Sequence, residues 1–169
     1  QFCVPLASSM VKYSIPLIPN KVSWTIMNMV DRLIIMNVLG ASPAGIYAIS
    51  YKFPDVMDTV YSFFYQSWKE SSARALNSEG DEEAFYNAVY HVLRRFMVAI
   101  VLVMTALMPI VYSLFIGGDY GEGILYVPIL LLATYYSNIS GFYGGIFTAH
   151  RDTGIMGTTT VVSALLCLV

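Results

Sequence analysis

Ser14–Gly40 reads SIPLIPNKVSWTIMNMVDRLIIMNVLG, and its distribution around a helix decides the fold. A helix needs roughly 20 mostly apolar residues to cross a bilayer, and this stretch exceeds that length. Yet it carries Lys21, Asp31 and Arg32. At 100° per residue, Asn20, Lys21, Trp24, Thr25, Asn28, Asp31 and Arg32 share an arc of about 140°. Val22, Ile26, Met27, Met29, Val30, Leu33 and Ile34 take the remaining circumference. Such a helix turns hydrocarbon to lipid and its polar flank to something hydrated. Charge at membrane depth costs a few kcal/mol or more, so it normally faces a bundle interior or a watery cavity.

Composition agrees with a polytopic membrane protein. Only 12% of the 169 residues are charged, about half the share in soluble domains, and mean hydropathy is +0.63. A net charge of −2 without a basic tract disfavours nucleic acid as a partner. Gln1 opens the chain, and the apolar run Val161–Val169 is still under way at its end. The expectation is an internal piece of a longer transporter-like chain, with the remainder of that chain as a partner. Cys3 and Cys167 have neither pairing nor metal-ligand spacing and read as structural thiols.

Further spans follow the first, which covers about 14–39. Pro16 and Pro19 break or kink its entry. They fit either an interrupted helix beside a substrate path or a plain helix start. Gly40–Gly45 reads as a tight turn, and a second span covers about 46–73. Its Tyr51, Lys52, Asp55, Asp58, Thr59, Ser62, Gln66 and Lys69 share an arc of about 120°. Pro54 should kink this span, and Lys52 and Asp55 can pair on one face. Trp68 and Lys69 fit an interfacial anchor. After the hydrophilic break Glu70–Glu83, Asp81 is placed to cap the next helix.

An amphipathic segment, Ala84–Arg95, leads to a third span at about 96–116. The acidic turn Gly117–Gly123 does not match a calcium loop. A fourth span, about 124–149, carries Ser137, Gly141 and Gly145 at every fourth position, a strip that admits a close neighbour. A fifth begins at 154. Four full spans and the start of another make an all-α, polytopic transmembrane helix bundle. Lys12, Lys69, Arg74, Arg94, Arg95 and Arg151 then fall on one side. The positive-inside rule makes residues 70–95 and 150–153 cytoplasmic.

Three segments together resemble a family. These are IPLIPNKVSWTIMNMVDRLIIMNVLGASPAGIYAISYKFP, FFYQSWKESSA and FIGGDYGEGILYVPILLLATYYSNISGFYGGIFTAHRDT. Their order is similar to the polysaccharide exporters and O-antigen flippases of the multidrug/oligosaccharidyl-lipid/polysaccharide exporter superfamily. The resemblance implies the first part of the C-terminal half of a transporter with twelve to fourteen helices. It implies alternating access in the inner membrane, carrying a polyprenyl-pyrophosphate-linked oligosaccharide for surface polysaccharide such as lipopolysaccharide. Lys21, Arg32 and Lys52 would then attract pyrophosphate. Asp31, Asp55 and Asp58 would balance those cations, or exchange coupling protons or sodium. Trp24, Tyr47 and Tyr51 would stack on sugar rings.

Plainer roles stand beside these. Asp31 and Arg32, adjacent on a helix, do not face each other, so each needs another partner, in an interhelical lock or a cavity wall. Lys52 and Asp55 fit a salt bridge fixing the kink equally well. His91 and His150 read as solvated or interfacial, and the tyrosines mostly as packing and interface residues. No phosphate loop, metal cluster or nucleophile motif stands out, so no enzyme activity and no cofactor are expected. Competing functions are a multidrug or lipid II exporter, a membrane polysaccharide synthase or ligase, and a structural scaffold. Cysteines introduced at Asn28, Arg32, Lys52 and Asp55 of the full-length protein should react with a membrane-impermeant thiol reagent in at least one state. Protection of all four in every state would remove the transport reading.

Overall fold

The computed structural model describes residues 15, 17–75, 81–116, 118–150 and 153–167, and every regular element among them is helical. In chain order they are α1 (Leu17–Val38), α2 (Ala41–Ser50), α3 (Lys52–Ala75), α4 (Glu82–Val111), α5 (Val127–Ala149) and α6 (Thr153–Cys167). A π-helical turn, Tyr112–Ile116, continues α4, and a 3-10 helix, Gly118–Leu125, leads into α5. The all-α class is therefore as read from the sequence. Cys3, Lys12, Arg151 and the side chain of Cys167 lie outside the described residues.

Two boundaries differ from the sequence reading. Gly40–Gly45 is not a turn throughout: the break spans Leu39 and Gly40, with Gly40 at φ 93°, and α2 starts at Ala41. A positive φ suits glycine because it has no Cβ to clash. Pro43 is tolerated because first-turn N–H groups have no helical partner. The second span is itself divided. Pro54 would clash with the carbonyl four residues back, that of Ser50, and the helix breaks between Ser50 and Lys52. The expected kink is thus a junction centred on Tyr51.

Ser50 holds that junction in place. Fully buried, its hydroxyl donates to the Gly123 carbonyl at 3.0 Å and lies 3.2 Å from the Tyr112 hydroxyl. A Cβ on Gly123 would meet Ser50 Oγ at 2.6 Å, so the approach depends on glycine. Tyr112 also stacks on Phe53, with ring centroids 5.8 Å apart.

The core lies between α3, α4 and α5, around Met57, Met97, Leu131 and Phe142. Trp68, read from the sequence as fitting an interfacial anchor, is packed inside the protein. It is 2% exposed, lies flat on Phe142 at 4.3 Å and donates from Nε1 to the Phe142 carbonyl at 3.0 Å. The small-residue strip on α5 makes this contact possible. A Cβ at Gly145 would sit 2.5 Å from Trp68 Nε1, and one at Gly141 2.8 Å from the Tyr61 hydroxyl.

Asp81 caps α4 as expected, accepting from the Ala84 amide at 3.1 Å. The amphipathic segment and the third span are one continuous helix. Glu82–Ile116, 35 residues, is the one helix among the described residues long and apolar enough to cross a membrane. At 1.5 Å per residue it runs about 50 Å, enough for a hydrocarbon core of about 30 Å and an extension beyond it. Large apolar side chains face outward elsewhere too, among them Ile26, Met29 and Leu33 on α1 and Ile129 and Leu132 on α5.

Gly145→Ala should destabilise the full-length protein by about 1–3 kcal/mol, the usual cost of overpacking. Gly121→Ala, with open space around its Cβ, should change little. Thermal unfolding of both variants in detergent checks the contrast.

Candidate functional site

The turn at Gly40 folds α2 back so that its end meets α1. Asp31 and Arg32, neighbours on α1, each take a separate aromatic partner. The Tyr47 hydroxyl donates to Asp31 Oδ2 over 3.4 Å, a long contact. The Arg32 guanidinium stands 5.2 Å from the Tyr51 ring centroid, a cation–π distance. Tyr47 and Tyr51 are one turn apart, with ring centroids separated by 5.7 Å. Neither charge is spent on the other, as their adjacency requires.

Beside this quartet lies a cavity of about 660 Å³. Asp31, Tyr47 and Tyr51 line it from α1 and α2, and Asp58, Tyr61 and Tyr65 from α3. On α5, Thr134, Ser137, Asn138 and Gly141 close the far wall, and α6 adds Thr159 and Thr160. Successive inward residues on α3 are three or four positions apart, the spacing of one helix face. Among the described lining residues there are two carboxylates and no Lys, Arg or His.

Two lining residues carry unmet hydrogen-bonding capacity. Tyr61 and Asn138 are more than nine-tenths buried, and Tyr61 Oη and Asn138 Nδ2 have no hydrogen-bond partner. The Asn138 side chain lies beside the Asp58 carboxylate, yet its amide nitrogen finds no partner of good geometry. A buried group left this way costs about 1–3 kcal/mol.

The residues singled out from the sequence therefore separate. Asp31, Tyr47, Tyr51 and Asp58 converge on the cavity, and Arg32 stands over the Tyr51 ring without lining it. Lys52 and Asp55 do not line it. They pair with each other at 3.7 Å, as their spacing allowed, with Lys52 77% exposed. Lys52 instead borders an apolar groove of about 570 Å³ with Phe53, Val56, Met104 and Phe115. Lys21 is exposed on α1, where its carbonyl accepts from Thr25 at 3.0 Å. The side chains of Trp24 and Asn28 lie outside the described residues. His150 reaches Glu82 with Nε2 3.2 Å from Oε1, joining the end of α5 to the start of α4.

Sequence reasoning missed Tyr61, Tyr65 and Asn138. Asn138 had a signal: a buried amide is costly in an apolar helix unless something hydrogen-bonds it. The tyrosines had a fainter one, their spacing of three and seven residues from Asp58 on the same face.

Carboxylates, hydroxyls and aromatic faces together suit a polar guest that donates hydrogen bonds and offers flat apolar faces. The same wall suits anions poorly, since phosphate and carboxylate recognition normally relies on Arg or Lys. Among the described residues, no cluster of three or more His, Cys, Asp or Glu could hold a metal ion. Comparison with protein-family models, curated proteins and solved structures finds no match to this chain. Tyr61→Phe removes a buried hydroxyl that has no partner, so the ligand-free protein should gain about 1 kcal/mol of stability. A matched loss in thermal unfolding would mean that the hydroxyl is satisfied in the protein.

Proposed function

We propose that this chain serves a flippase, moving a polyprenyl-pyrophosphate-linked oligosaccharide across the inner membrane for surface polysaccharide synthesis. In this reading the helices form a multi-pass bundle, and transport proceeds by alternating access without covalent chemistry. The observation that carries it is the tyrosine-rich, hydroxyl-rich cavity between helices whose outer faces are apolar. A glycan needs a polar route through the membrane, whereas a polyprenyl tail can remain in lipid. Arg32, beside the cavity, offers a cation for the pyrophosphate. Asp31 and Asp58 are placed to balance charge or to exchange a coupling proton or sodium ion. The Glu82–His150 contact supports the assigned sidedness, because it joins the two stretches read as cytoplasmic.

The aromatic, acidic wall also favours a second reading within the same superfamily, a multidrug exporter taking cationic amphiphiles. In the full-length protein, Arg32→Ala and Tyr51→Ala are expected to abolish surface polysaccharide while membrane insertion stays intact. Lys52→Ala, on the other side of the junction, should reduce it less. Unchanged polymer in both Arg32→Ala and Tyr51→Ala strains would overturn the glycan route. Drug sensitivity without a glycan defect would establish the exporter instead.

A further inference from the structure

We propose that the apolar groove between α3 and the end of α4 binds a zwitterionic phospholipid, with its phosphate on Lys52 and its ammonium on Asp55. The inference rests on the multi-pass membrane reading and is independent of what the protein carries.

The groove has the polarity and depth of an acyl-chain slot. Among its described lining residues Lys52 alone is polar, and Phe53, Val56, Met104 and Phe115 are among the rest. Phe115, 81% exposed, and Val56, 48% exposed, keep it open at the surface. At 1.5 Å per residue, Met104 stands about 18 Å before Ile116 along α4 and its π-helical turn. That is close to half of a hydrocarbon core of about 30 Å, the share of one leaflet. Lys52 sits at the Ile116 end of this path, because the neighbouring Phe53 stacks on Tyr112 and Ser50 bonds Tyr112 and Gly123. With residues 70–95 read as cytoplasmic, that end faces the outer leaflet. A lipid there would lay one chain along Phe53 and Val56 toward Met104 and bring its headgroup to Lys52.

Charge then selects the headgroup. Lys52 Nζ and Asp55 Oδ2 stand 3.7 Å apart, with both side chains open at 77% and 43% exposure. So loose and exposed a pair is weak, which leaves each member able to take a second partner. The lysine ammonium donates to phosphate, and an ionised carboxylate only accepts. A headgroup that joins a phosphate to a primary ammonium through an ethylene bridge answers both side chains at once. Phosphatidylethanolamine has that chemistry.

Other occupants match less well. An anionic lipid offers nothing to Asp55 and is repelled by it at short range, and the pyrophosphate of a polyprenyl carrier brings still more negative charge. A choline headgroup has the positive charge but no N–H for the carboxylate. A helix packed over the groove would have to supply an acid and a base of its own at the same spot. The ethanolamine headgroup carries both in one short unit, with an apolar chain attached where the groove begins.

The test uses the full-length protein purified in detergent, with native mass spectrometry reading bound lipid. The probes are dioleoyl phosphatidylethanolamine, phosphatidylcholine and phosphatidylglycerol. Phosphatidylethanolamine should bind at least fivefold more tightly than either of the others. Asp55→Asn should bring it within twofold of phosphatidylcholine, and Lys52→Ala should weaken it at least fivefold. A preference that survives Asp55→Asn would place the lipid elsewhere and overturn the inference. Equal binding of the three lipids by the unsubstituted protein would overturn it too, leaving the flippase reading intact. Tighter binding of phosphatidylglycerol would assign the groove to an anionic lipid instead. Displacement of bound phosphatidylethanolamine by equimolar polyprenyl pyrophosphate would make it a carrier site, and either result overturns the inference. Full-length protein recovered from the soluble fraction of cells, outside membranes, would overturn the membrane reading and the inference together.

Discussion

The indole of Trp68 lying on Phe142 is the contact on which the remaining architecture depends. It fixes α3 against α5 over the bare backbone of Gly145. One helical turn along the same strip, Gly141 receives the Tyr61 hydroxyl. The cavity runs alongside these contacts, lined from Asp58 and Asn138 to Tyr65 and Gly144. Close packing and open space thus lie on neighbouring faces of one helix pair. Dispersion and burial on the packed face hold the walls of the open one, where polar side chains would not themselves draw the helices together.

The junction at Tyr51 does the complementary work. An unbroken helix from Ala41 to Ala75 would place Tyr51, Lys52, Asp55 and Asp58 on one arc. Across the junction Tyr51 lines the polar cavity and the next residue, Lys52, borders the apolar groove, as neighbours about 100° apart on a helix would. Ser50 makes this stable by tying the end of α2 to Gly123 and Tyr112. The local cause is a single proline, and the anchoring partners lie more than 60 residues away in sequence.

Helix periodicity was the most legible feature of the chain. It located α1 and α5 to within a few residues, singled out Asp31, Tyr51 and Asp58, and anticipated the glycine strip, whereas Tyr47 was named only through the family resemblance and the division at Tyr51 was not foreseen. Asp81 was readable as a cap because capping is decided within four residues. What periodicity does not carry is the identity of the neighbour. Trp68 near a span end has the look of an interface residue, and only the facing Phe142 and Gly145 make it core. Lys52 belonged to the polar arc by angle, but at the edge farthest from Asp58, and only the edge holding Tyr51 and Asp58 faces the cavity. Tyr61 and Tyr65 were hidden because tyrosine serves equally in cores, interfaces and binding walls.

Charge separation across the junction gives the site its character. Lys52 is neutralised locally by Asp55 on an exposed face, so it adds little field to the cavity through solvent. Arg32 keeps its charge against an aromatic face, and the adjacent Asp31 looks into the cavity. The result is one cation beside a lining tyrosine and one carboxylate in the lining, on neighbouring residues of the same helix. A guest with one anionic end and one neutral, hydroxyl-rich end would be held in a single orientation by that pair of charges. A uniformly cationic guest would be drawn to the wall without a preferred end.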